Sequence, residues 1–373
     1  MKIGIVCPYN LSLPGGVQQH VFEQARELKK RGHTVKILTP KPRTELVFDD
    51  TDVLFIGQSR RIKTPQHTSM DVSSSVSGEA IDALLASQNF DIIHMHEPIV
   101  PILARQMLPR ISVPVVGTFH AALPETVVAK SIAGSIAPYV KSIVKHLSAV
   151  TAVSKAATSY VGDYIDPNNV HFIPNGVDLL QYTVTSKKIQ RKDILYVGRL
   201  EKRKGVKYLI EAFAVLHASH PHVRLIIAGN GPDRDKLIDL THQLGIHTAV
   251  DFLGYVSEQE KIALLQNAKI FVSPALYGES FGIVLIEAMA TGTPTIGGNN
   301  AGYASVLTKT GSVGLVDPLN ADLFAIRMAL LLEDEAIRMV WQKWALKDVK
   351  QYSYKNIVDS YEKIYKNLVK VKS

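Results

Sequence analysis

Two glutamates, Glu279 and Glu287, are the residues of this chain best placed to act on one ligand together. They stand in the run Gly278-Glu279-Ser280-Phe281-Gly282-Ile283-Val284-Leu285-Ile286-Glu287. The pattern predicts Glu279 at the end of a loop and Glu287 two turns into an apolar helix, about 12 Å further along its axis. A ligand with two polar ends at that separation would engage both. A nucleotide sugar has this form, with sugar hydroxyls at one end, a ribose at the other and a diphosphate between. The backbone N–H groups of Ser280, Phe281, Gly282 and Ile283 are expected at the helix start, where unpaired donors and the helix dipole favour an anion. Taken alone, a pair of this spacing is commonplace on a solvated helix face, so the neighbouring motifs decide.

The first neighbour is Gly198-Arg199-Leu200-Glu201-Lys202-Arg203-Lys204-Gly205, which follows an apolar run. Arg199 and Lys204 are expected to project from the end of a strand, where two fixed cations can neutralise a departing diphosphate. The plainer reading is a basic surface loop, and Arg203 is left unassigned. Near the start of the chain, Gly15-Gly16 precedes a helical stretch, and glycines there let the backbone approach a phosphate closely. This is no G-x-G-x-x-G, and the second apolar run ends Leu38-Thr39-Pro40-Lys41 with no acidic residue, so a dinucleotide oxidoreductase is disfavoured. His120 ends the run Gly117-Thr118-Phe119; a lone His is more often structural than catalytic. His94 and His96 share one face of a strand, but no third ligand has suitable spacing and no metal is expected.

Composition bounds these readings. The chain has 373 residues, 46% hydrophobic and 20% charged, as expected of a globular protein of two domains. Its formal charge of +8 suits nucleic acid, an anionic membrane or an anionic small substrate. The cations are scattered, with small clusters at Arg60-Arg61-Lys63, Lys187 to Lys192 and Lys202 to Lys207, and no nucleic-acid motif accompanies them. No apolar run approaches membrane-spanning length, and the first residues read as a buried strand and not as a signal peptide. The single cysteine, Cys7, is expected to pack in a core, and a reducing cytoplasm is the simple inference.

The elements that must position these residues alternate short β-branched runs with amphipathic stretches, the mark of parallel βαβ units. One series of strands begins at Ile3, Thr34, Val53, Ile92, Val115 and Ala149; a second begins at Ile194, Arg224, Val250, Ile270 and Thr293. A Pro174-Asn175-Gly176 break separates them, followed by a polar linker from Val177 to Arg191. Thr64 to Gly78, rich in Ser and Thr, reads as a mobile surface loop. The expected fold is α/β, with two Rossmann-like doubly wound parallel-sheet domains: residues 1–173, completed by 353–373, and residues 174–352. Ligands in such sheets bind at the carboxyl ends of the strands.

Together these strings resemble the E-x7-E signature of the retaining glycosyltransferases with the GT-B fold (group 1, family 4). The nearest group is the bacterial phosphatidylinositol α-mannosyltransferases, through Pro14-Gly15-Gly16-Val17-Gln18, His96-Glu97-Pro98, Thr118-Phe119-His120 and Gly278 to Val284. The resemblance implies an interdomain cleft, a last helix that crosses back to the N-terminal domain, and a nucleoside diphosphate sugar as donor, GDP-mannose favoured, with no tightly bound cofactor. It assigns Gly16, Arg199, Lys204 and the amides of Ser280 to Ile283 to the diphosphate. Glu287 falls to the ribose, Val256 and Lys261 to the base, and Glu279 to the sugar, with His120 beside the reacting carbon. Tyr9 and Gln18 remain as acceptor contacts, and the acceptor as a lipid or small polyol. The acceptor side departs from that group: Val72 to Ser87 carries Glu79 and Asp82 but no Lys or Arg to meet an anionic membrane. Ile99, Ala121 and Glu125 also stand where basic or polar residues would hold an inositol phosphate. The expected location is cytoplasmic or at the inner face of the cell membrane. Alternatives are a UDP-sugar enzyme with a soluble acceptor and a non-catalytic sugar-nucleotide-binding protein.

Overall fold

The computed structural model describes residues 1–13, 15–42, 52–63, 69–122, 127–159, 161–162, 164–185 and 192–370. Pro14, Glu125, Thr64 to Thr68, residues 371–373 and the linker residues 186–191 lie outside the described residues. The chain divides into two compact units, one of residues 1–176 with 354–373 and the other of residues 177–353.

The first unit follows the order β1 (Lys2–Val6), α1 (Gly16–Lys30), β2 (Thr34–Lys41), β3 (Val53–Lys63), β4 (Ser69–Ser73), α2 (Gly78–Gln88), β5 (Ile92–His96), α3 (Leu103–Met107), β6 (Val115–Phe119), α4 (Val127–Val144), β7 (Ala149–Ala152) and β8 (Val170–Phe172). Its sheet has the strand order β4-β3-β2-β1-β5-β6-β7-β8, parallel throughout except for the antiparallel pair β3/β4. Ile3 to Val6, all of β5 and all of β6 are buried, as a parallel sheet covered on both faces requires. Cys7 is buried in this core, and burial pushes its thiol up to about 12, so it packs and does not react.

The second unit contains β9 (Ile194–Val197), α5 (Val206–Ser219), β10 (Leu225–Ala228), α6 (Arg234–Gln243), β11 (Val250–Gly254), α7 (Glu258–Asn267), β12 (Ile270–Ser273), α8 (Ile283–Ala290), β13 (Thr295–Gly298), α9 (Ala301–Ala304), β14 (Leu315–Val316), α10 (Ala321–Glu333) and α11 (Glu335–Asp348). Its six strands are parallel in the order β11-β10-β9-β12-β13-β14. The last helix, α12 (Tyr354–Lys370), returns to the first unit. Tyr354, Ile357, Val358, Tyr361 and Tyr365 recur at helical spacing on its buried face, and the last four join the core of β1, α1 and β2.

Three local expectations are corrected. The Ser- and Thr-rich stretch is a loop only in part where it is described: residues 74–77 are irregular, but Ser69–Ser73 is β4, paired with β3 and bound to the segment after β1 by Asn10 N–H to the Asp71 carbonyl at 3.0 Å. Val72 also bridges Tyr9. Val72, Ser73 and Asp71 are buried, so partnering and not side-chain hydrophobicity makes the strand. The strand expected from Thr293 starts at Thr295, after Pro294, which has no N–H to donate to a ladder. Finally, α8 starts only at Ile283, because Gly282 sits at φ +109°, outside helical space. Glu287 is therefore little more than one turn into the helix, not two, and Ser280 to Gly282 precede it.

Candidate functional site

The second unit gathers its charged groups around the two glutamates. The Glu279 side chain is partly buried, 12% exposed, and its Oε1 accepts from Arg203 at 2.6 Å and from Lys204 Nζ at 2.7 Å. Burial pushes its carboxyl up, but the two cations outweigh it and hold it below the usual glutamate value. Both cations stand in the turn after β9, at the carboxyl edge of the sheet. Behind Glu279 the backbone of α9 is in contact: a Cβ on Gly302 would lie 2.1 Å from the Glu279 carbonyl oxygen. That close approach fixes the loop that carries the carboxylate.

Glu287 is buried on α8, and Lys261 Nζ reaches its Oε1 at 2.9 Å while also pairing with Glu258 at 3.1 Å. Burial dominates, so the Glu287 carboxyl is pushed up despite Lys261, while Glu287 and Glu258 hold the Lys261 ammonium charged. The Tyr182 ring lies under this ammonium, 5.4 Å from centroid to Nζ, and its hydroxyl donates to Glu258. Lys261 is delivered by α7, whose start is locked by a reciprocal cap between Ser257 and Glu260. Val256, half-buried, immediately precedes that cap. Arg199 stands apart from Glu279: its half-exposed side chain pairs with Glu201 at 2.6 Å. Arg203, unassigned from the sequence, is the residue found on Glu279.

In the first unit, Gly16 opens α1 with Gly15 at the N-cap, and the Gln18 side chain folds over them; a Cβ on Gly15 would meet Gln18 Oε1 at 2.2 Å. Gln18 also reaches the Asn10 carbonyl at 3.4 Å. Tyr9 is half-buried beside β4, its carbonyl accepting from the Thr39 hydroxyl at 2.9 Å.

His120 does not stand alone. The β5/β6 register sets His96 opposite Thr118, bringing His96 Nδ1 within 2.8 Å of His120 Nε2. His94 stacks on His96 at 4.3 Å, and His20 of α1 turns ring edges to His96 and His120 at 5.5 and 5.3 Å. All four rings are buried. Desolvation holds each imidazole neutral, pushing His94 down to about 3 and His120 to about 4, with His20 and His96 well below their ordinary value. Glu97 adds strained backbone at φ +48°, and its carboxylate accepts from the His120 and Ala121 N–H groups. Burial raises that carboxyl to about 7 against the pull of the two amides. Neither His20 nor Gln24 was legible as part of this group; their i, i+4 spacing on the helix after Gly15-Gly16 was the available signal. Among the described residues, no group of three or more His, Cys, Asp or Glu is arranged to hold a metal ion. No helix among them is long and apolar enough to cross a membrane.

Comparison with known proteins joins this geometry to a family. Residues 183–348 match the family described as Glycosyl transferases group 1, and residues 14–180 match Glycosyltransferase Family 4. The phosphatidyl-myo-inositol mannosyltransferase of Mycolicibacterium smegmatis is 31% identical, over 99% of this chain and 94% of its own. The chain belongs to the group 1 glycosyltransferases. Its fold agrees: a glycosyltransferase from Rickettsia africae superposes with a TM-score of 0.78 at 22% identity, covering 99% of this chain and 98% of its own. Anabaena Alr3699/HepE in complex with UDP-glucose gives 0.77 at 18% identity, covering 99% and 100%. The glycosyltransferase therefore has the expected GT-B architecture of two parallel-sheet α/β domains.

Proposed function

We propose that this glycosyltransferase moves a hexosyl group, mannosyl favoured, from a nucleoside diphosphate sugar, GDP-mannose favoured, to a lipid-linked or polyol acceptor with retention of anomeric configuration. The observation that carries the reading is the pair of carboxylates flanking the start of α8, one partly and one fully buried, each matched to cations: Glu279 to Arg203 and Lys204, Glu287 to Lys261. In the free protein these cations neutralise the carboxylates. With donor bound, Lys204 and Arg199, with Gly16 and the amides of Ser280 to Ile283, would hold the diphosphate. Glu287 would take the ribose, Val256 and Lys261 the base, and Glu279 the sugar hydroxyls. His120 would stand by the reacting carbon as a neutral ring.

Chemically, the acceptor oxygen bonds to C1 as the bond from C1 to the phosphate oxygen breaks, on the same face, and the acceptor proton passes to the departing phosphate. Cations on that phosphate lower the barrier because negative charge grows there. The mannosyl preference draws on the mycobacterial relative. A second reading, a UDP-sugar donor and a soluble acceptor reached through Tyr9 and Gln18, draws on the UDP-glucose complex of the Anabaena protein and on α2, whose exposed face offers Glu79 and Asp82 and no cation. A visit to an anionic membrane surface belongs to the first reading only.

The test is a panel of GDP- and UDP-sugars offered with phosphatidylinositol vesicles or free polyols, with products read by mass spectrometry. A mannosyl lipid supports the first reading and a glycosylated soluble acceptor the second. Nucleotide binding without transfer from any donor would refute both and leave a sugar-nucleotide-binding protein.

A further inference from the structure

The hydrogen bonds behind β5 can be given a direction from their far end. The Thr151 hydroxyl points to the Gly117 carbonyl at 3.3 Å, and a carbonyl can only accept. With the Thr151 proton on Gly117, Thr118 donates to Thr151, and the Thr118 oxygen accepts from His94 Nε2 at 2.5 Å. In a neutral ring a proton on Nε2 leaves Nδ1 bare. Nδ1 of His94 accordingly shares its one lone pair between the Tyr365 hydroxyl at 2.5 Å and the Gln24 amide nitrogen at 2.8 Å. The same nitrogen of Gln24 donates to Tyr365 at 2.9 Å. The amide is thereby oriented, and its oxygen faces His96 Nε2 at 2.9 Å. In this direction His96 carries its proton there, its Nδ1 is bare, and His120 Nε2, 2.8 Å away, is the donor.

We propose that Gln24 is a positioning residue that holds the proton of His120 on Nε2, leaving Nδ1 able only to accept. Turning the amide over would reverse each bond from Gln24 to His120. It would also break the run into the Gly117 carbonyl. An accepting Nδ1 can take a hydrogen bond from a substrate hydroxyl, and offers no proton to a phosphate. The other titratable groups against the network are His20 of α1, Glu97 at the end of β5, and Tyr354 and Tyr361 of α12. The rate consequence rests on the reading of His120 as a group beside the transferred sugar; the proton assignment does not.

The experiment is long-range proton–nitrogen correlation on the whole protein labelled with 15N-histidine, at neutral pH, beside donor turnover. Wild type should show His94, His96 and His120 all protonated on Nε2. Gln24→Leu removes the acceptor of the His96 proton, so His96 and His120 should become mixtures of both tautomers. Turnover should then fall about tenfold with little change in donor KM. Gln24→Glu keeps an acceptor toward His96 but offers His94 no donor. His94 should move to Nδ1–H while His120 stays on Nε2, with kcat closer to wild type. If Gln24→Leu does not fold, the spectra of Gln24→Glu decide alone. A wild-type His120 protonated on Nδ1, an unmoved spectrum in Gln24→Leu, or a moved spectrum with unmoved kcat would overturn the proposal. Should wild type turn over no nucleotide sugar, the transferase reading fails, and the nitrogen spectra still judge the proton assignment.

Discussion

Acidification should destabilise the first unit of this protein along a curve with a break in it. His94 and His120 take up a proton at about 3 and about 4 when folded, against an ordinary 6.5. An unfolded chain therefore binds protons that the folded chain refuses, and stability is lost as pH falls below 6.5. The loss ends near pH 4 for His120 and near pH 3 for His94. Glu97 works the other way. Its folded value of about 7 lies above the ordinary 4.5, so the folded chain binds the extra proton, and stability is gained as pH falls from 7 to 4.5. Each titrating group contributes about 1.4 kcal/mol per pH unit. Between pH 6.5 and 4.5 two losses oppose one gain, a net slope of about 1.4 kcal/mol per unit, to which His20 and His96 add in the same direction. Below pH 4.5 the gain is exhausted and the slope from the two named histidines doubles to about 2.7 kcal/mol per unit. Glu97→Gln, which can still accept from the His120 and Ala121 amides, removes the gain. The steep slope should then extend up to pH 6.5, with an extra loss of about 2 kcal/mol between pH 7 and 5. Urea unfolding read by hydrogen exchange in α12 follows this unit. Both tryptophans, Trp341 and Trp344, lie in α11, so their fluorescence follows the other unit and serves as an internal control. A first-unit midpoint that holds or rises from pH 7 to 5, or a Glu97→Gln slope no steeper than wild type, would refute this account.

The donor side yields three further expectations. Lys204→Ala should lower turnover by about 10²–10³ and weaken nucleotide-sugar binding, as loss of a charge-stabilising donor does; near wild-type kcat in a steady-state assay would remove Lys204 from the diphosphate. Lys261→Met leaves Glu287 buried without its cation and should cost about 3–5 kcal/mol, seen as a lower tryptophan-monitored urea midpoint; a midpoint within error of wild type would show that the pair is not desolvated. Gly302→Ala should push the Glu279 loop away and raise donor KM at least tenfold, because the added methyl meets backbone and not a side chain that can move; an unchanged KM in the same assay would argue against Glu279 as a donor contact.

Much of this fold could be read in the chain because its parallel strands are short runs buried on both faces, such as Ile92 to His96 and Ile270 to Ser273. The strands that escaped are β4, whose Asp71 and Ser73 interrupt the apolar signal, and β8 and β14, which are only three and two residues long. The α8 start was misplaced because periodicity runs on through Ser280 and Phe281, whereas the +109° φ of Gly282 is a property of three-dimensional packing. Around the glutamates, the basic turn after β9 named Lys204 and the family resemblance named Lys261, which the structure brings onto Glu279 and Glu287. Arg203 was harder, since three consecutive basic residues do not say which turns inward; the answer depends on the turn that ends at Gly205. The histidine group was out of reach because His20, His94, His96 and His120 meet only through strand register and the seat of α1 against the sheet.

Because α12 supplies Tyr361 and Tyr365 to a core otherwise made from residues 1–176, that core cannot close while the ribosome is still making the intervening 177–353. The half begun first is the half finished last. During synthesis the later unit can complete its own sheet while β1, β5 and β6 wait with an uncovered face. A mutation that loosens α12 should therefore surface as poor yield or chaperone dependence before it surfaces as altered catalysis.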